Sequence, residues 1–328
     1  MSDDLNNPHD SFFRGVFALR QVSVPFFQHY LPTRVLKGLD LRTLRLSRES
    51  FIDERLREQR SDLLFSVASR SGQPTLLYLL LEHKSYQERW TAFQVLGYAM
   101  RALERHAGGN GLLPPLLAVV LYHGETPWSA PTTVEALTET REELVGSGLR
   151  FGFQLCDLSQ TDLEDLEQRA ALAMVLQVQK HIRNNALSER LAGIFKLSRG
   201  LRWRSGQKLA FLEMILRYLA AAAGQLDETT IRAALREALP IEVEEHLMPT
   251  IAETWEARGE ARGEARGQAR GKEQQAQAIL RRLLVQRFGP LSTGIIQQIE
   301  NADLETLDRW LDRVLVANDL DEVFIAGD

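Results

Sequence analysis

Residues 75–84 form an almost unbroken apolar run that ends abruptly in charge, Leu79-Leu80-Leu81-Glu82-His83-Lys84. Apolar at consecutive rather than alternate positions, the run reads as a strand buried on both faces, the interior strand of a covered sheet. Strand side chains alternate, so Glu82 and Lys84 share one face, while His83 turns to the other and leaves its carbonyl beside the carboxylate. Charges at the end of a buried strand are unfavourable unless they are paired or bind a ligand.

The neighbouring segments say what those charges meet. Asp62-Leu63-Leu64-Phe65-Ser66-Val67 reads as the preceding strand, and Ser71-Gly72-Gln73-Pro74 as the turn between the two. An antiparallel hairpin brings Asp62 opposite either Glu82 or Lys84, two registers that differ by two residues. A slip of one residue would instead turn Asp62 to the wrong face. In the favourable register two carboxylates and an ammonium converge at one end of the hairpin. Asp62, Glu82 and the His83 carbonyl are hard oxygen donors suited to Mg²⁺, with Mn²⁺ as a substitute. A metal there polarises a scissile phosphate and lowers the pKa of a bound water. Lys84 can orient or deprotonate that water, or neutralise charge developing on the phosphorane. An edge-of-core ion pair between Glu82 and Lys84 is the plainer alternative.

Helical spacing of Phe12, Phe13, Val16, Phe17 and Leu19 predicts a helix over 11–22, with Pro25 breaking it or opening a second one and Pro32 ending the pattern. Residues 41–51 suit a half-exposed strand, with Leu44 and Leu46 set between Arg42, Arg45 and Arg48. An amphipathic helix is expected over 87–106, then a buried strand over 116–122 that ends at His123-Gly124. Helix, three strands, helix, strand is the order of an α/β core of the sandwich type. From about residue 160 the chain reads helical, with segments at 163–187, 207–223 and 228–239.

Residues 255–272 differ in kind, because Glu-Ala-Arg-Gly recurs and sets Gly259, Gly263, Gly267 and Gly271 four apart. No Ser or Thr follows Lys272, so this is not a phosphate-binding loop. Each interior glycine costs a helix about 1 kcal/mol relative to alanine. The opposite charges fall two or six apart and miss the pairing distances. A marginal helix or flexible spacer is the expectation, against a close-packed seam between two copies of the chain. Beyond it, Ala276–Phe288 and Ala302–Val316 form two amphipathic helices around a Gly289-Pro290 break, enough for a small helical module.

Composition limits the partners. With 39 basic against 44 acidic residues the chain carries a net charge of −5, so any affinity for nucleic acid must come from local basic patches. One is Arg42, Arg45 and Arg48; a second runs Lys180, Arg183, Arg190, Lys196, Arg199, Arg202, Arg204, Lys208. Cys156 is the one cysteine, which excludes an intrachain disulfide and a thiolate zinc cage. An acidic N-terminus without an apolar core segment, and no apolar stretch long enough for a bilayer, predict a soluble cytoplasmic protein with no membrane partner.

Asp62, followed about twenty residues later by Glu82-x-Lys84 on an apolar strand, resembles the PD-(D/E)XK nuclease signature. His9-Asp10-Ser11-Phe12-Phe13, Arg60-Ser61-Asp62-Leu63-Leu64-Phe65, residues 78–85 and Tyr122-His123-Gly124 resemble the Rpn family of recombination-promoting nucleases, also called YhgA-like transposases. The likeness spans about residues 8–215. It implies a restriction-endonuclease-like fold and Mg²⁺-dependent DNA cleavage linked to recombination. Asp62 and Glu82 would be metal ligands, Lys84 the catalytic lysine, and Gln94 an auxiliary glutamine on the following helix. Ser61 stands where the signature has proline. The implied division is a nuclease domain at 8–215 with its core at about 8–125, a helical segment at 216–250, the repeat at 251–277 and the helical module at 278–328. His9-Asp10 lacks the upstream histidine of a metal phosphohydrolase, and Asp10 suits a helix N-cap. His123, ending a buried strand, reads as structural. The competing function is a non-catalytic DNA-binding or protein-interaction scaffold of the same fold that forms homo-oligomers through the repeat.

Overall fold

A computed structural model describes residues 8–47, 63–70, 76–104, 112–139, 148–163, 166, 169–183, 186–224, 226–317 and 319–324; side chains at 76–83, 258, 261, 262, 265, 266 and 269 are not among those described. The chain divides into two compact units, 1–254 and 255–328.

The first unit opens with helices α1 (Pro8–Ala18), α2 (Arg20–Tyr30) and α3 (Thr33–Gly38), followed by strands β1 (Leu39–Leu46), β2 (Leu63–Ser69) and β3 (Leu76–Lys84). Helix α4 (Thr91–Glu104) leads to β4 (Leu116–Tyr122) and β5 (Phe153–Asp157). The strands lie in chain order in one five-stranded sheet. β1, β2 and β3 pair antiparallel, while β3, β4 and β5 pair parallel. The doubly apolar run is therefore the central strand. Its β2 register sets Leu63 opposite Leu81 and Phe65 opposite Leu79.

Both faces are covered. Ala92, Val95 and Tyr98 of α4 pack with Ala118, Val120 and Phe153 on one face. On the other, Phe27 of α2 meets Phe65 edge-on at 5.2 Å. The unit continues through α5 (Ala170–His181), α6 (Ala186–Lys196), α7 (Ser205–Ala222) and α8 (Glu228–Ala238). The Phe12 and Tyr218 rings stack at 4.0 Å and tie α1 to α7.

Several expectations shift. Pro25 lies inside α2 and breaks nothing; the break falls at Leu19, which is extended between the two helices. Buried Phe26 and Phe27 anchor the turn that Pro25 deprives of one hydrogen bond. Strand β1 ends at Leu46, and Arg48 lies outside the described residues. The sequence reading did not contain β5. Helix α4 starts at Thr91 rather than Gln87.

Helix α9 (Ile241–Phe288) runs through the whole Glu-Ala-Arg-Gly repeat, where a spacer or marginal helix was expected. Its flanks explain this: Leu247 and Ile251 before the repeat, and Leu280 and Leu284 after it, are fully buried. Ordered turns on both sides remove the nucleation penalty, and Glu, Ala and Arg propagate a helix well. In the second unit α9 ends at Gly289, whose φ of +87° only glycine adopts readily. Helices α10 (Thr293–Glu300), α11 (Leu304–Val314) and α12 (Leu320–Phe324) follow, with Leu284, Ile299, Leu307, Trp310 and Val323 as the core of this unit. Among the described residues no helix is long and apolar enough to cross a membrane.

Gly124 follows β4, and a Cβ there would collide with the ring and hydroxyl of Tyr122. That ring is fixed in turn against Trp128 at 5.0 Å. Gly124→Ala is therefore expected to destabilise the fold by about 1–3 kcal/mol, as overpacking does, read as a lower thermal midpoint. An unchanged midpoint would show that the loop yields freely.

Candidate active site

The sheet delivers its charges at one end. In the parallel ladder Glu82 aligns with Val120 and Lys84 with Tyr122, and Tyr122 aligns with Asp157 of β5. Aligned residues share a face, so Lys84, Tyr122 and Asp157 belong to the face that α4 covers, and the Glu82 position lies on it too. Asp157 is occupied, accepting from the backbone N–H groups of Trp128 at 2.8 Å and Ser159 at 2.9 Å.

Lys84 is 8% exposed. An ammonium so buried requires partners, and α4 and the turn before it provide two. Lys84 Nζ donates to Gln94 Oε1 at 3.1 Å and lies 3.8 Å from Glu88 Oε2. Gln94 Nε2 in turn donates to Glu88 Oε1 at 2.7 Å, which closes a three-membered network. The structure thus brings together two of the predicted site residues, Lys84 and Gln94. Glu88 was missed, since a single glutamate in a turn gives no periodic or motif signal.

Asp62 lies outside the described residues, as do the Glu82 and His83 side chains. The surrounding backbone is nonetheless informative. Leu63, which follows Asp62, pairs with Leu81, which precedes Glu82. The Lys84 carbonyl accepts from the His123 N–H on the β4 side at 2.9 Å. Carbonyls alternate along a strand, so the His83 carbonyl points toward β2, whose described pairing ends at Leu63. Among the described residues no three His, Cys, Asp or Glu side chains are grouped closely enough to hold a metal.

Gln87 orders the loop beside this end. Its Nε2 donates to the Pro127 carbonyl at 2.7 Å and to Thr126 Oγ1 at 3.2 Å, and its Oε1 accepts from Ser129 N–H at 2.7 Å. On the opposite face His123 is 3% exposed, and its Nδ1 donates to the Gln179 carbonyl at 3.2 Å. Burial first, then the nearby Arg183 and His9, push its pKa down to about 3. His9 stands 6.4 Å from it, centroid to centroid, with Nδ1 2.8 Å from the Tyr218 hydroxyl; burial and Arg183 lower its pKa too. Asp10 is buried within α1.

Several members of the second basic cluster are engaged within the fold. Lys180 donates to the Thr161 carbonyl, Lys196 pairs with Glu237 and Arg199 binds the Ala238 carbonyl. Arg183 reaches the candidate site, donating to Ser85 Oγ at 3.0 Å, one residue beyond Lys84. In the first cluster Arg42 pairs with Asp40 along its own strand.

A mixed five-stranded sheet covered by helices, with a partnered lysine closing its central strand, places the chain among α/β proteins. The chain belongs to the family described as "Putative transposase, YhgA-like", whose profile matches residues 7–207. It is similar to the inactive recombination-promoting nuclease-like protein RpnE of Escherichia coli (strain K12), 30% identical over 302 residues, which is 91% of this chain and 97% of that one. Recombination-promoting nuclease RpnA of the same strain is 31% identical over 185 residues, 56% of this chain and 62% of its own length. Recombination-promoting nuclease RpnD of Escherichia coli O157:H7 is 29% identical over 187 residues, 56% of this chain and 70% of its own. No solved structure matches the chain.

The neutral, buried His123 has a consequence for stability. Between about pH 3 and the ordinary imidazole pKa near 6.5, the unfolded chain binds a proton that folded His123 refuses. Stability therefore rises with pH across that window and is lost as pH falls through it. Asn can keep the hydrogen bond to the Gln179 carbonyl without titrating. Denaturant midpoints of wild type and His123→Asn should converge as pH drops from 6.5 toward 4, wild type losing more; parallel curves would mean that His123 is not held neutral.

Proposed function

We propose that residues 8–215 are a Mg²⁺-dependent DNA endonuclease of the PD-(D/E)XK type, with Asp62 and Glu82 as metal ligands, the His83 carbonyl as a third donor, Lys84 as the catalytic lysine and Gln94 as its partner. The observation that carries this reading is the hydrogen bond from Lys84 at the end of the central strand to Gln94 of α4. A lysine that were merely the partner of Glu82 would have no need of a glutamine from the covering helix.

The donor set fits the metal. The last described β2–β3 pair, Leu63 with Leu81, supports this reading, since one further step in the same register would bring Asp62 opposite Glu82. The His83 carbonyl is directed to that same side. All three offer oxygen, which Mg²⁺ prefers, and no soft donor intrudes. When bound, the metal supplies Lewis-acid polarisation of the scissile phosphate and acidifies its water. The chain's own groups do the rest. Glu88 and Gln94 fix Lys84 Nζ at one position, from which it orients the attacking water or meets charge developing on the phosphate oxygens. Mn²⁺ can replace Mg²⁺. Arg183, held by Ser85, is placed for a backbone phosphate, so binding should weaken as salt rises.

The repeat at 251–277 and the module at 278–328 are assigned no part in cleavage; 216–250 forms the helical segment between them and the nuclease domain. We also place the protein in the cytoplasm, with DNA recombination or mobile-element biology as its setting.

A second reading is favoured by one observation: the relative that aligns over nearly the whole chain is named inactive. On that reading the chain is a DNA-binding or protein-interaction scaffold that retains the fold and self-associates through the repeat. Plasmid nicking separates the two. Wild type should nick in Mg²⁺ and stop in EDTA, and Lys84→Ala should lose about a hundredfold or more in rate while staying folded. Cleavage by Lys84→Ala at the wild-type rate would refute the assignment, and inertness of folded wild type in every metal on plasmid, gapped and single-stranded DNA would favour the scaffold.

A further inference from the structure

Aromatic side chains are concentrated where a globular surface usually avoids them. Among the described residues with large exposed apolar side chains, the aromatic ones are Tyr86, Trp90 and Phe93, at 61%, 52% and 59% exposure. All three fall within nine positions of Lys84. Other described rings of this unit pack against one another: Phe12 stacks on Tyr218, Tyr122 meets Trp128 and Trp203 meets Phe211. Three rings left in water beside one buried lysine are not explained by packing.

Local geometry sets them together. The Gln94 N–H donates to the Trp90 carbonyl at 3.0 Å, so the helical turn already begins at Trp90. Trp90 and Phe93, three residues apart, are therefore neighbours on the surface of that turn, with Cβ atoms roughly 5–6 Å apart. Gln94, the next residue, points inward and grips Lys84. Tyr86 is also close to the lysine, its ring centroid 5.8 Å from Lys84 Nζ. Cations are interleaved with the rings: the Arg89 guanidinium stands 5.8 Å from the Trp90 ring, and Arg183 is held at Ser85.

We propose that Tyr86, Trp90 and Phe93 form a stacking platform for unpaired nucleobases, and that the substrate presented to Lys84 is DNA with single-stranded character, such as a gap, a flap or a frayed end. This rests on the nuclease reading above and names its substrate class. Alternating rings and cations match a single strand, whose bases offer free π-faces while its phosphates meet Lys and Arg. A duplex keeps those faces inside its own stack and gains nothing from the rings. The same charges argue against a purely apolar partner, which would have to bury Arg89 and Arg183 without compensation.

Fluorescence anisotropy in EDTA, with the full chain and a labelled single-stranded oligonucleotide or the matching duplex, tests this without any cleavage. Trp90→Ala and Phe93→Ala should each weaken single-strand binding by about fivefold to a hundredfold. Trp90→Phe should restore most of it, and duplex affinity should move far less. Because these side chains are exposed, thermal midpoints should stay at the wild-type value, which separates lost stacking from lost folding. Single-strand affinity unchanged in both alanine variants would overturn the proposal, as would a lower solution mass with unchanged DNA affinity, which would mark a self-association surface. Failure of the nuclease reading appears elsewhere, as nicking that ignores Lys84.

Discussion

Parallel pairing of β3 with β4 determines what the rest of the first unit can do. It makes the apolar run central, with β2 on one side and β4 on the other, so every residue up to Leu81 finds neighbours in the sheet. The ladder then outlasts the apolar residues. Glu82, His83 and Lys84 still pair with Val120, Leu121 and Tyr122, which fixes charged positions rigidly at the end of a covered sheet. A rigid element holds a reactive group more sharply than a loop does, and the pairing here transmits that rigidity to Lys84. The network of Gln94 and Glu88 then does for the side chain what the ladder does for the backbone.

Much of this was legible in the sequence because the relevant signals are periodic. Consecutive leucines marked β3 and alternation marked part of β1, while the apolar stretch before His123 marked β4. The hairpin turn and Asp62 fall outside the described residues; within them, β2 and β3 pair antiparallel as the sequence implies, up to Leu63 opposite Leu81. The pairing of Lys84 with Gln94 was legible only through resemblance, since a glutamine ten residues away on a helix has no local signature. Glu88 and Gln87 were not legible at all. Both act through contacts made after the turn has folded, Glu88 on Lys84 and Gln94, Gln87 on residues about forty positions away. Strand β5 was missed because five residues, Phe153 to Asp157, are too few to establish a period.

The repeat is the clearest case of context overriding propensity. Read alone, four glycines at a period of four argue for a marginal helix or a spacer, because each weakens a helix. Read with its flanks, the same stretch lies between segments whose leucines are buried, and the helix propagates through it. The charge argument also changes once contacts are known. Several basic residues that cluster in the sequence are engaged separately in the fold, Lys196 with Glu237 and Arg199 with the Ala238 carbonyl, while Arg183 reaches Ser85 beside the candidate site. Near that site stand the Arg89 and Arg183 cations and the exposed rings of Tyr86, Trp90 and Phe93, a chemistry that composition and net charge conceal.

A divalent metal at the end of β3 is the central proposal, and Mn²⁺ binding followed by electron paramagnetic resonance tests it most directly. Wild type should bind Mn²⁺ at a site from which Mg²⁺ displaces it, and Glu82→Ala should lose that site while its circular dichroism stays unchanged. Equal Mn²⁺ binding by the folded variant, or none by wild type, would contradict the account.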